Sequence, residues 1–400
     1  MSSIIIAGAG HAGGQAAASL RQEGFEGEIV VIGDEPHIPY QRPPLSKQYL
    51  AGEHGLERVY LRPEKFYADR NVIIRSGVRV EAIDRAAHTV ATSDGDSLSY
   101  EKLLLATGSR PRLLQLDTGD LAGIHYLRTI ADVDAIRAEM APGRKVAVVG
   151  GGYIGLEVAA VCIEAGLEVR VIEMEDRILQ RVTTPAMSEF YHGLHSGRGV
   201  TIHTGTRVTG FAGNGAVSQV LCSESTFAAD LVIVGIGIVP NVELAAEAGL
   251  PCDNGIVVDD RCRTADPNIY AAGDCTNHPN PLLNRRLRLE SVPNAMEQAR
   301  VAAANMSGGD KVYASVPWFW SDQYDLKLQM VGFAADGDTE VLRGDKSANS
   351  FAVFHLKDGA IAAVDAVNSP KEFMICRRLI GRTVDQQALA DPDTDLKSLL

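Results

Sequence analysis

The chain has 400 residues, 46% hydrophobic and 22% charged, the make-up of an ordinary globular protein too long for one small core. Its formal net charge of −13, from 38 Lys and Arg against 51 Asp and Glu, argues against nucleic acid as a partner. No apolar run approaches the ~18–20 residues that cross a bilayer, the N-terminus lacks the basic flank of a signal peptide, and six scattered cysteines without a C-x-x-C pair speak against zinc or a disulfide framework; a cytoplasmic address, with no membrane partner and no bound metal, is expected.

Residues 4–35, IIIAGAGHAGGQAAASLRQEGFEGEIVVIGDE, read as strand, glycine turn, alanine-rich helix and second strand. Residues 146–176, VAVVGGGYIGLEVAAVCIEAGLEVRVIEMED, repeat the design, with Gly8, Gly10 and Gly13 matched by Gly150, Gly152 and Gly155 at a constant offset of 142. In such a unit the first glycine makes the turn, and the second lets the backbone approach a pyrophosphate. The third lets helix and strand touch, and the helix N-terminus offers N–H groups to phosphate. An acid follows each second strand, Asp34 at 21 residues after Gly13 and Glu173 at 18 after Gly155, the place of a group that bonds an adenosine ribose. Two dinucleotide sites are therefore expected, one for a held cofactor and one for an exchanging cosubstrate.

Between the two units, residues 41–47 read QRPPLSK, with no thiol. Residues 103–108, LLLATG, form a buried strand that ends at Ala106-Thr107-Gly108; residues 269–275, IYAAGDC, form another that ends at Gly273-Asp274. In an open α/β sheet these strand ends border the ligand crevice, although an Asp after Gly is equally a plain turn former. Further on stand a basic run with Arg285, Arg286 and Arg288, and an aromatic block with Trp318 and Trp320.

In this order the motifs identify the chain as resembling the two-dinucleotide flavoprotein reductases of glutathione-reductase-like fold. Within them it is most similar to the NADH-dependent ferredoxin reductases of putidaredoxin-reductase type, which serve haem monooxygenases and aromatic dioxygenases. PPLSKQYLAG (43–52), YLRT (126–129), GGGYIGLEVAA (150–160), ESVPNAMEQAR (290–300) and PWFWSDQYD (317–325) carry the likeness over nearly the whole chain. It implies an α/β fold with two Rossmann-like domains and a smaller α+β C-terminal domain. An FAD domain would span 1–112 and 241–314, an NAD domain 113–240, and a β-rich domain 315–400.

The resemblance further implies tightly bound FAD, contacted by Ala12, Asp34, Lys47, Val80, Arg128, Asp274 and Val292, with Glu35 and Arg42 as weaker candidates. Val80 and Val292 read equally as core. NADH is the expected cosubstrate, held at Gly150, Gly152, Tyr153, Ile154, Gly155 and Glu173, with Arg181 toward its phosphates. Arg177 and Arg181 stand near enough to leave NADPH open. Lys47 and Glu157 are the expected catalytic pair beside the flavin. Disulfide reductases of this fold carry two cysteines where this chain has QRPPLSK, so a dithiol relay is ruled out and reduced flavin must serve an external acceptor. That acceptor is expected to be a [2Fe–2S] ferredoxin supplying a haem-thiolate monooxygenase or Rieske-type dioxygenase. A rubredoxin reductase, an NADH oxidase, a nitrite-reductase-type component or a redox sensor resembling apoptosis-inducing factor remain as alternatives. An acidic ferredoxin needs a local basic patch, for which Arg285, Arg286 and Arg288, read as a loop, are candidates, with Trp320 as contact or electron exit; a solvated loop and a core tryptophan are the plainer readings.

Overall fold

The computed structural model describes residues 2–118 and 121–400. The chain forms two compact units: unit 1 comprises Met1–Arg42, Gly55–Arg110 and Ile238–Pro317, and unit 2 comprises Pro43–His54, Pro111–Gly237 and Trp318–Leu400.

Unit 1 is built on a five-stranded parallel sheet in the order Ile269–Ala271, Lys102–Leu105, Ser3–Ala7, Glu28–Gly33, Val72–Ser76. Runs such as Ile4-Ile5-Ile6 and Ile29-Val30-Val31-Ile32 suit a strand buried on both faces. Alternation along each strand sends Ile4, Ile6, Ile29 and Val31 to a core shared with the helices His11–Gln22 and Val292–Met306. Ile5, Ala7, Val30 and Ile32 go to a second core on the other face.

Unit 2 repeats the plan with Thr201–His203, Glu168–Ile172, Lys145–Val149, Leu231–Val234 and Ile124–Tyr126, again all parallel. A three-stranded antiparallel ribbon follows the third sequential strand of the sheet in unit 1 (Val80–Asp84, Thr89–Thr92 and Ser97–Ser99) and the fourth in unit 2 (Val208–Asn214, Ala216–Cys222 and Thr226–Ala228). The copies differ in the origin of one edge strand. It arrives late in the chain in unit 1 (Ile269–Ala271) and early in unit 2 (Ile124–Tyr126).

Unit 2 also contains an antiparallel sheet, Trp318–Gln323, Leu326–Gly332, Ala360–Val367, Ser350–Lys357 and Thr339–Asp345, with the helix Pro370–Leu379. The segment Pro43–His54, which the sequence reading groups with residues 1–112, clusters with unit 2, tied there by Tyr49 Oη donating to Asp134 at 2.9 Å and by the contacts of Ser46 and Lys47 described below.

Candidate active site

The two glycine loops are built alike to within a few tenths of an ångström. Gly8 and Gly150 have φ of +120° and +108°, and a Cβ on either would sit 2.1 Å from the carbonyl oxygen of Ala106 or 2.4 Å from that of Gly235. A Cβ on Gly13 would meet the oxygen of Gly8 at 1.9 Å, and one on Gly155 the oxygen of Gly150 at 2.1 Å. Around Gly10 and Gly152, by contrast, nothing lies within 4 Å of the added carbon. First and third glycines are thus demanded by the fold, while the second faces open space. The helices that follow, His11–Gln22 and Tyr153–Glu164, have these second glycines as N-caps, with no capping side chain and no acid in the first turn. Thr129, in a capping box with Asp132, caps Ile130–Glu139 and Ser291 caps Val292–Met306, whereas Pro185–Gly197 and Pro370–Leu379 also start without a capping side chain. Uncapped N–H groups beside an open glycine fit the pyrophosphate of a dinucleotide in both units.

In unit 2 the acid after the second strand lies on the glycine loop. The Glu173 carboxylate accepts from Gly151 N at 2.6 Å and from Glu175 N at 2.9 Å, fixed on the glycine loop. Leu179 N donates to Gly151 O at 2.9 Å and carries the following segment onto the same loop, where Arg181 Nη2 would lie 3.9 Å from a Cβ on Gly237. Arg177 is engaged elsewhere, with Ser188 Oγ at 2.5 Å and the Gln180 carbonyl at 3.1 Å. Ile154 is exposed in the helix's first turn. Tyr153 Oη points to Met330 Sδ at 2.7 Å, and burial pushes its phenol well above the ordinary range.

Unit 1 is different. Its second strand ends at Gly33, and the Asp34 side chain is 59% exposed, with Arg79 at 3.5 Å. Glu35 is held more firmly, by Arg42 Nη2 and by Tyr40 Oη, each at 2.6 Å. The other expected residues of unit 1 gather at the same strand ends. Gly8 lies against Ala106, Thr107 Oγ1 donates to Asn241 O at 2.7 Å, Ser109 Oγ donates to the Asp274 carboxylate at 2.9 Å, and a Cβ on Gly273 would lie 3.4 Å from that of Ala12. Val292 opens the helix whose Ala295 also faces Gly273, whereas Val80 begins the antiparallel ribbon; both are half-buried.

Lys47 and Glu157 are brought together from 110 residues apart in unit 2, Nζ to Oε2 2.7 Å, with side chains 10% and 2% exposed. They are a buried ion pair, not two surface charges. The carboxylate also accepts from Ser46 Oγ at 2.5 Å and, through Oε1, from Ser321 Oγ at 2.7 Å. Both serines lie in blocks that carry the resemblance, PPLSKQYLAG and PWFWSDQYD, which gave neither a role. Arg128, half-buried in the same unit, has its backbone N–H on the Asp132 carboxylate at 3.0 Å. Trp320 is half-buried, its ring 5.6 Å from that of Trp318, which in turn lies 5.4 Å from Phe373.

The arginine run is not a loop. Arg285–Leu287 is a strand paired antiparallel with Thr276–Asn280. A three-residue strand is too short for its alternation to show in sequence. Arg286 donates to Asn277 Oδ1 at 2.9 Å and to Val258 O at 2.8 Å, and Arg288 pairs with Glu290 at 2.7 Å; Arg285 and Arg286 are both exposed. All six cysteines are free thiols, and burial raises the Cys275 thiol. Among the described residues no group of three or more His, Cys, Asp or Glu is gathered for a metal, and no helix is long and apolar enough to cross a membrane.

Comparison with known proteins agrees with this geometry. Residues 2–299 match the pyridine nucleotide-disulphide oxidoreductase family and residues 318–400 the reductase C-terminal family. The chain belongs to this oxidoreductase family. It is 47% identical to the ferredoxin–NAD(+) reductase component of the anthranilate 1,2-dioxygenase system of Burkholderia cepacia, over 99% of each chain. It is 45% identical to a probable ferredoxin reductase of Castellaniella defragrans, over 99% of this chain and 98% of the other. The reductase in a crystallised covalent putidaredoxin reductase–putidaredoxin complex superimposes with a TM-score of 0.96 at 43% identity, covering 100% of this chain and 98% of that one. The family works with FAD and a pyridine nucleotide.

Proposed function

We propose that the chain is a cytoplasmic NADH-dependent ferredoxin reductase of an oxygenase system, holding FAD on the loop of Gly8, Gly10 and Gly13 and receiving NADH on the loop of Gly150, Gly152 and Gly155. The observation that carries this reading is the conjunction of two open glycine loops with a buried Lys47–Glu157 pair in the region where disulfide reductases keep their thiols. Bound FAD supplies the chemistry, accepting hydride from NADH and releasing electrons singly to a [2Fe–2S] ferredoxin.

The chain's own groups bind and orient. The uncapped starts of His11–Gln22 and Tyr153–Glu164 take the two pyrophosphates. Asp34 and Glu35 are assigned to the FAD ribose, and Asp274, oriented by Ser109, to the ribityl–phosphate end. Glu173 bonds the free ribose hydroxyl of NADH and repels a 2′-phosphate, because its carboxylate is pinned on the loop; Arg181 is assigned to the NADH phosphates. Lys47 is assigned to the flavin ring as a fixed cation, with Arg128, Val292 and Trp320 as further flavin contacts. The functional division follows the sequence reading, with an FAD domain at 1–112 and 241–314, an NAD domain at 113–240 and a C-terminal domain from 315.

Docking of the ferredoxin is assigned to the basic run Arg285, Arg286 and Arg288 on and just after the strand Arg285–Leu287, where Arg285 and Arg286 are exposed. Turnover with NADH and NADPH, measured separately on a panel of ferredoxins and on ferricyanide, tests the assignment. NADH should be preferred, and ferredoxin reduction should rise as salt falls while ferricyanide reduction does not. Equal use of both nucleotides, or no ferredoxin reduction beside rapid ferricyanide reduction, would refute it.

A further inference from the structure

Glu157 has more partners than its ion pair requires, and they run away from it in a single line. Ser321 Oγ donates to Glu157 Oε1 at 2.7 Å, and Gln323 Nε2 donates to Ser321 Oγ at 3.1 Å. Gln323 Oε1 faces His195 Nε2 at 2.8 Å, and His195 Nδ1 faces Tyr324 Oη at 2.9 Å. Ser321, Gln323 and His195 are at most 1% exposed. They come from the strand Trp318–Gln323 and the helix Pro185–Gly197, and they converge on the helix Tyr153–Glu164 inside unit 2.

The sense of every link follows from one end. A carboxylate only accepts, so the Ser321 hydroxyl donates to it. The serine oxygen then accepts from the Gln323 amide, which turns the amide oxygen toward His195. His195 must carry its proton on Nε2 to meet that oxygen, which leaves Nδ1 to accept from the Tyr324 hydroxyl. Burial above all holds the His195 ring neutral, with Arg198 and His192 adding to it against the Gln323 hydrogen bond, and the Arg198 guanidinium lies 4.3 Å over the Tyr324 ring. Glu157, Ser321, Gln323 and His195 are buried and linked in this order, and such a connected network favours one geometry.

We propose that Ser321, Gln323 and His195 are positioning residues for Lys47: the chain clamps Glu157 Oε1, so that Oε2 stays turned to Ser46 and to the Lys47 ammonium. The proposal rests on the assignment of Lys47 to the flavin ring made above. If the clamp is released, the carboxylate rotates, the ammonium follows, and the field at the flavin changes although neither charged residue has been altered. Electron transfer within the enzyme then depends on a histidine and a glutamine that touch neither nucleotide.

Ser321→Ala, Gln323→Leu and Ser321→Thr, beside Lys47→Ala, test this. The readouts are FAD content, melting temperature, the flavin midpoint potential, NADH-driven flavin reduction in stopped flow, and the infrared carboxylate band assigned to Glu157 with Glu157→Gln. We expect Ser321→Ala and Gln323→Leu to retain FAD and shift the potential in the same direction as Lys47→Ala but by less. Flavin reduction should slow about tenfold at unchanged NADH affinity, the effect of losing one hydrogen bond to a charged group, and the Glu157 band should move. Ser321→Thr, which keeps the hydroxyl, should restore all three. Wild-type potential, rate and band in Ser321→Ala, with Lys47→Ala shifted, would overturn the proposal while leaving Lys47 at the flavin. A wild-type potential in Lys47→Ala would remove Lys47 from the flavin, and the proposal with it.

Discussion

In unit 2 the strand Glu168–Ile172 runs straight into a carboxylate, Glu173, that the glycine loop holds through Gly151 N. In unit 1 the strand registers match, Ala7 opposite Ile32 as Val149 is opposite Ile172, yet the residue after Ile32 is Gly33. The reason lies in the residue between the first two glycines of each loop. Unit 1 has Ala9 there, and a Cβ on Gly33 would meet the Ala9 methyl at 2.5 Å; unit 2 has Gly151, whose own missing Cβ leaves room for Glu173. Each loop has space for one of the two groups, and the units made opposite choices. The backbone contacts that make a dinucleotide loop are rigid, while the acid that reads the ribose moves by one or two residues when its neighbour takes its space. Unit 1 therefore offers Asp34, exposed, and Glu35, tied to Arg42 and Tyr40, where unit 2 offers a single pinned acid.

The comparison is broken most severely at the third glycines. Alanine at Gly13 or Gly155 drives a methyl into a carbonyl oxygen, so each loop must open. Gly13→Ala should yield protein without FAD. Gly155→Ala should keep FAD but lose at least ~100-fold in NADH-driven reduction, a cost of roughly 3 kcal/mol. Gly10→Ala meets no protein atom and should fold normally, with FAD retention alone impaired. Flavin absorbance per chain and stopped-flow reduction separate the three.

Each unit also buries one histidine whose pKa is lowered to about 4, by desolvation above all: His278 in unit 1 and His195 in unit 2. Both are neutral when folded, and the unfolded chain binds a proton at each from about pH 6.5 downward. Their contribution is therefore complete above about 6.5 and is lost as pH falls through about 4, up to roughly 3 kcal/mol for each. Urea unfolding between pH 7.5 and 4 should show this decline. His278, with neither ring nitrogen bonded, and His195, bonded at both, should part company: His278→Leu should flatten the acid limb, whereas His195→Leu should also lower stability at pH 7.5.

A smaller effect is expected at the acids. Glu173→Ala should lower kcat/KM for NADH about tenfold and narrow the margin over NADPH. Alanine at Asp34 should change FAD retention less than alanine at Glu35, because only the latter is fixed in place. The smallest effect is Cys275→Ser: its thiol is fully buried and raised by burial, and ferredoxin reduction should stay within about twofold of wild type.

What the sequence made legible follows the same physical line. The two loops could be read at an offset of 142 because turn, approach and helix packing each demand glycine within six residues. Glu157 could be placed one turn into a helix, and Lys47 opposite it, only through the resemblance. Ser321, Gln323 and His195 were not legible: they lie 164 and 128 residues from their partners, and Ser, Gln and His at single positions form no pattern. That Gly33 stands where unit 2 has Glu173 was not legible either, because only the strand register shows which residue faces the loop.

Where the electrons of NADH go is measured directly by an anaerobic titration. With FAD bound and a [2Fe–2S] ferredoxin in excess, each NADH added should reduce two ferredoxins, followed by the bleaching of their visible absorbance, and the count should not change when oxygen is excluded further. NADH consumption that requires oxygen and yields peroxide, with the ferredoxin left oxidised, would contradict it.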